Sequence, residues 1–63
     1  MYLTGLKKAR EAKGLSYADV AKLAGISHMT VRRAESGQDI HPLMGESIAK
    51  ALHTTTEALC MSE

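Results

Sequence analysis

The sequence has no Trp and no Phe, and its only aromatic residues are Tyr2 and Tyr17. Sheets favour aromatic and β-branched side chains, so a core drawn from Leu, Ile, Val, Ala and Met points to closely packed helices. Cys60 is the single cysteine. One thiol forms no internal disulfide, which indicates a reducing compartment. No apolar run approaches the ~18 residues of a membrane span. The N-terminus lacks the apolar stretch of a signal peptide. A cytoplasmic location is the expectation from these absences. Charge of one sign is also lacking: the formal net charge is +1, which is not that of a strong nonspecific polyanion binder.

With 63 residues, the chain is expected to form one domain over residues 1–63. A domain of this size buries only about 60% of its unfolded surface. Its total stability is on the order of 3–9 kcal/mol, at roughly 0.05–0.15 kcal/mol per residue. A cleft enclosing a small molecule would consume most of such a core, so neither an enzyme nor a small-molecule ligand is expected.

The charges that are present are clustered. Lys7, Lys8, Arg10 and Lys13 load the first segment, Arg32 and Arg33 sit together mid-chain, and beyond Lys50 there is no Lys or Arg but Glu57 and Glu63. Gly14, Gly25, Gly37 and Pro42 punctuate the chain at short intervals, as expected for short helices ended by left-handed residues. The spacing predicts five helices and no strand. The first runs from about Leu3 to Lys13, with Leu3, Leu6 and Arg10 on one face, Gly14 as its stop and Leu15 folding back. The second opens at Ser16, whose pairing with Asp19 resembles a capping box, presents Val20, Ala21, Leu23 and Ala24 inward, and stops at Gly25. The third is capped by Ser27 and ends at Gly37, with Val31 and Ala34 inward. The fourth spans about Leu43 to Leu52, with a first turn loosened by Gly45. A second capping box of Thr54 and Glu57 opens the last, to about Met61.

The segment from Tyr17 to Ser36 is the most informative. Two helices joined by so few residues cross steeply and approach closely. Ala21 is small enough for that approach, Gly25 takes the positive φ of the turn, Ile26 covers the corner, and Val31 and Ala34 bury the inner face of the second helix. Small, Gly, apolar and apolar at these offsets describe a helix-turn-helix.

The matching residues extend over the whole chain: Gly14-Leu15, Ala18-Asp19-Val20-Ala21, Gly25, Glu35-Ser36-Gly37, Pro42 and Ala49-Lys50-Ala51-Leu52. On these the sequence resembles the DNA-binding domains of lambdoid phage repressors and Cro proteins, the XRE family. The resemblance implies an all-α, compact five-helix, lambda-repressor-like fold. It also implies a phage or bacterial sequence-specific transcriptional regulator of the repressor type, without cofactor. Its partner would be a pseudo-palindromic double-stranded DNA operator, bound as a homodimer with the helix from Ser27 to Ser36 in the major groove.

Specific residues acquire roles in this reading. Glu35 sits near a helix C-terminus, where the dipole disfavours a carboxylate, and Arg10 sits on an apolar face. Each is misplaced alone, and together they read as a partly buried ion pair, which the resemblance also implies. His28, Met29, Arg32 and Arg33 fall where a recognition helix contacts base edges. Arg bonds guanine O6 and N7 in a bidentate way, Met29 suits a thymine methyl, and His28 suits a base edge or a phosphate. Tyr17 stands where the family often has Gln; its hydroxyl can donate to phosphate, or its ring can pack on neighbouring side chains. Ser27, Lys7, Lys8 and Gln38, with the backbone around Gly37 and Gln38, are further phosphate candidates.

Departures from the family pattern concentrate after Gly37, a loop often rich in Lys and Arg. Here it reads Gln38-Asp39-Ile40-His41-Pro42-Leu43, with Asp39 expected to face phosphate and no Arg for the minor groove. His53 replaces the usual Gly after the fourth helix. The region from Ile40 to Thr56, with Leu43 and Met44 exposed, is the expected dimer face. A chain ending at Glu63 would correspond to a short Cro-like repressor; a longer one would add an oligomerisation domain. His28, His41 and His53 are too widely spaced, without Cys partners, for a zinc site. A second reading is a helix-turn-helix used for protein contact, as in an antirepressor or antitoxin-like partner; the low net charge and Asp39 favour it.

Overall fold

The computed structural model of the chain describes residues 1–60. They form five helices and, among the described residues, no strand: α1 (Leu6–Ala12), α2 (Tyr17–Ala24), α3 (His28–Glu35), α4 (Pro42–Ala51) and α5 (Thr56–Cys60). None is long and apolar enough to cross a membrane. The expected extension of the last helix to Met61 lies outside the described residues.

Local chemistry accounts for most boundaries. At Gly14, φ is +67°, and the Leu15 N–H donates to the Arg10 carbonyl at 3.2 Å. This left-handed closure lets Leu15 pack back on the core. The start of α2 is a reciprocal capping box: the Asp19 N–H donates to Ser16 Oγ at 3.1 Å, and the Ser16 N–H donates to Asp19 Oδ2 at 3.0 Å. The Ser16 N–H on the carboxylate first, and the Ser16 side chain second, lower the Asp19 pKa. Gly25 ends α2 with φ +71°, and the Ile26 N–H donates to the Ala21 carbonyl at 3.0 Å. Ser27 Oγ accepts from the Met29 N–H at 3.2 Å and opens α3. Pro42 is itself the first residue of α4, one position earlier than expected, with His41 Nδ1 accepting from the Leu43 N–H at 3.1 Å as the cap.

Helix α2 packs on α3 and α4, while α1 packs on α3 and α5. The core between them is aliphatic, and Leu3, Leu6, Val20, Val31, Ile48 and Leu52 have no exposed surface. The helix-turn-helix is thus held by α4 against α2 and by α1 against α3, with α5 packed on both supports.

Five further expectations are corrected. The first helix begins at Leu6 rather than Leu3, because the N-terminal segment is tied to α5. The Gly5 N–H donates to the Leu59 carbonyl at 2.6 Å, and Thr4 Oγ1 donates to the Cys60 carbonyl at 3.1 Å. Leu23 is not inward but 62% exposed, because Val20 and Ala21 already face the core. The cap of α5 is Thr55, whose Oγ1 accepts from the Ala58 N–H at 3.2 Å. Thr54 is engaged in closing α4: its N–H donates to the Ala49 carbonyl at 2.9 Å, with His53 at φ +54°. Gly45 is not a loose position: it is buried, and a Cβ there would fall on the Met1 thioether. Ile40 is 8% exposed and belongs to the core, so it forms no part of an open dimer face.

Candidate nucleic-acid interface

Helix α3 divides its residues sharply. Val31 and Ala34 are fully buried, whereas His28, Met29, Arg32 and Arg33 all face solvent. The four are neighbours on the outer surface, because positions three and four apart share a helix face. Ser27 presents the N-terminus of this helix with its hydroxyl already engaged as the cap acceptor, leaving the hydroxyl proton available to an anion. The turn residues expected from the sequence are in place: Ala21 is buried, Gly25 is left-handed, and half-buried Ile26 packs against the core.

Beneath this face lies the only ion pair between side chains among the described residues. Arg10 Nε donates to Glu35 Oε2 at 2.5 Å and Arg10 Nη2 donates to Glu35 Oε1 at 3.3 Å. Arg10 Nη1 donates to the Leu15 carbonyl at 2.6 Å. All three nitrogens of the guanidinium are thus committed, two of them in a fork onto the carboxylate. The side chains are 11% and 5% exposed. The Glu35 hydrogen bond raises the Arg10 pKa against an opposing effect of burial, with smaller contributions from the charge of Glu35 and the nearby Tyr17 and Glu11. The pair joins α1, the turn after it, and the end of α3.

Tyr17, at the first position of α2, is 38% exposed. Its ring centroid lies 4.5 Å from Arg10 Cζ and 5.8 Å from Arg32 Cζ, within cation–π range of both. Of the two roles open to Tyr17 in the sequence, ring packing is therefore occupied, while the partly exposed side chain leaves phosphate contact open. The Tyr17–Arg32 contact has no local sequence signal, since the two residues meet only once α2 and α3 are crossed.

The remaining phosphate candidates are placed less closely. Lys7 and Lys8 are exposed on α1. The Gly37 and Gln38 N–H groups donate to the carbonyls of Ala34 at 3.3 Å and Arg33 at 3.1 Å. Both backbone donors are spent on closing α3, which leaves only the exposed Gln38 side chain. Asp39 is not an isolated charge: the N-terminal ammonium of Met1 donates to its Oδ1, and the Ile40 N–H donates to the Met1 carbonyl at 2.9 Å. The expected repulsion between Asp39 and phosphate is offset by that cation.

Residues 6–59 match the model of the helix-turn-helix family. Among solved structures, the chain is similar to the restriction-modification controller protein C.AhdI from Aeromonas hydrophila. The match has a TM-score of 0.82 and 32% sequence identity, and it covers 89% of this chain and 86% of that one. No curated protein matches the chain. An outward-facing second helix, the left-handed turn at Gly25 and these likenesses lead to one assignment: the chain belongs to the XRE-type, Cro/repressor-like helix-turn-helix family of DNA-binding transcriptional regulators.

Proposed function

We propose that the chain is a sequence-specific regulator of the repressor type that binds a pseudo-palindromic operator as a homodimer, with α3 in the major groove. The observation that carries this reading is the division of α3. Its inner face is sealed by Val31 and Ala34, while His28, Met29, Arg32 and Arg33 project together from the body of the domain. Arg32 and Arg33 are assigned to guanine edges, Met29 to a thymine methyl and His28 to a base edge or phosphate. Tyr17, Ser27, Lys7, Lys8 and Gln38 are assigned to phosphates.

Size supports two copies. Successive major-groove faces lie about 34 Å apart, whereas the domain measures 24 × 23 × 18 Å. Leu43 and Met44, 66% and 40% exposed at the start of α4, are the apolar residues we assign to the contact between copies. The likeness to a restriction-modification controller protein supports a regulatory role.

The net charge of +1 favours a second reading, a helix-turn-helix used for protein contact as in an antirepressor or antitoxin-like partner. Salt separates the two. Anisotropy of a labelled duplex is expected to show log affinity falling linearly with log salt, with a slope of about −0.9 per phosphate neutralised. No retention of any duplex at low salt would reject DNA binding and leave the protein-contact reading.

A further inference from the structure

The contact between Tyr17 and Arg32 reaches beyond the assignment of Arg32 to a base, and it rests on that assignment. We propose that Tyr17 is a positioning residue for base selectivity: its ring anchors the Arg32 guanidinium to the buried Arg10–Glu35 pair and so fixes how Arg32 is presented to the groove.

The chain of contacts begins in the interior. Arg10 spends every guanidinium nitrogen, two on Glu35 and one on the Leu15 carbonyl, so its position is fixed from three sides. What remains free is its flat face, and the Tyr17 ring lies on it at 4.5 Å. The ring is thereby held at the α2–α3 crossing, and Arg32 reaches it from α3 at 5.8 Å. Two cations on one ring would repel, but Glu35 offsets the charge of Arg10, leaving Arg32 as the uncompensated one. Among the described residues the Arg32 side chain has no hydrogen bond or ion pair. Stacking uses its π face alone and leaves its N–H donors free for guanine O6 and N7. A long side chain loses rotamer freedom on binding, and holding it beforehand reduces that loss. Arg33 is the internal control: it is also exposed, one residue on, and the Tyr17 ring meets only Arg10 and Arg32 as cations.

The test uses the duplex that the wild-type chain recovers from a randomised pool, and variants of it with each base pair changed singly. Arg32→Ala is expected to flatten discrimination at one base pair. Tyr17→Leu should weaken discrimination at that same pair by roughly two- to fivefold, the range of a solvent-facing cation–π contact, and leave the other pairs unchanged. Tyr17→Phe keeps the ring and should keep the discrimination. Adding Tyr17→Leu to Arg32→Ala should alter base discrimination no further.

Uniform loss of affinity across all duplexes in both Tyr17 variants, with discrimination at the Arg32 base pair intact, would show a phosphate contact alone and overturn the positioning role. So would unchanged discrimination in Tyr17→Leu. If Arg32→Ala alters no base pair, the base assignment of Arg32 itself fails and takes the positioning role with it. Should Tyr17→Leu fold poorly, the wild-type chain supplies the deciding measurement. The Arg32 δ-methylene protons should show an upfield ring-current shift in the free protein, and random-coil values there would overturn the proposal.

Discussion

Replacing Arg10 with Met removes the cation from a carboxylate that has no other partner among the described side chains. Glu35 is 5% exposed and receives two hydrogen bonds from Arg10, and the Leu15 carbonyl receives a third. Breaking one side of a buried pair costs about 3–5 kcal/mol, because the surviving charge is left desolvated. The contact with Tyr17 adds about 0.5–1 kcal/mol at most. Against a total of about 3–9 kcal/mol for a domain of this length, Arg10→Met should bring the chain near its unfolding midpoint even without denaturant. Urea melts followed by far-UV circular dichroism measure this directly. With a slope near 1 kcal/mol/M, as for the smallest domains, the midpoint should fall by about 3 M or more. The double variant Arg10→Met with Glu35→Leu should recover most of the loss, since well-packed apolar replacements of a buried pair are often neutral or stabilising by ~1–4 kcal/mol. A single-variant loss below about 1 kcal/mol, the scale of a solvent-exposed pair, would refute the argument that this ion pair braces α3.

Three further outcomes follow from the backbone and the capping box. Gly25 has φ +71° with open space where a Cβ would lie, so Gly25→Ala should cost about 1–2 kcal/mol in thermal melts from backbone strain alone; a neutral effect would contradict the left-handed turn. His53 occupies φ +54° without being glycine, so His53→Gly should stabilise by up to about 1 kcal/mol; destabilisation would show that the imidazole contributes more than its backbone costs. Because the pKa of Asp19 is lowered in the fold, its contribution is complete above the ordinary carboxylate range and is lost as pH falls through the lowered native value. Asp19→Asn keeps an oxygen acceptor for the Ser16 N–H but does not titrate, so its Tm should fall less steeply than wild type across that acid window; parallel curves would argue against the linkage.

What could be read from the sequence was chiefly local. Gly14, Gly25 and Gly37 all take positive φ because a glycine after an amphipathic stretch is the cheapest way to end it. Ser16 with Asp19, and Ser27, cap helices through bonds spanning two or three residues. The Arg10–Glu35 contact was legible for a different reason: two charges in unfavourable places explain each other. The features that were missed depend on chain segments far apart. Nothing near Gly5 reveals that its N–H donates to Leu59, which delays α1. Thr54 with Glu57 satisfies the capping-box pattern, yet Thr55 caps α5 while the Thr54 N–H closes α4 onto Ala49. The packing of Met1 over Gly45, the pairing of Asp39 with the N-terminal ammonium, and the placing of the Tyr17 ring between Arg10 and Arg32 arise from the assembled fold alone.

The central claim is that α3 reads DNA from its outer face as one half of a symmetric pair. Selection of the purified chain on randomised duplexes, carried out at low and at physiological salt, tests it most directly. The account predicts enrichment of sequences with two inverted half-sites whose centres lie about 10–10.5 base pairs apart, tighter at the lower salt. Recovery of no preferred sequence at either salt concentration, or of sequences without inverted symmetry, would contradict it.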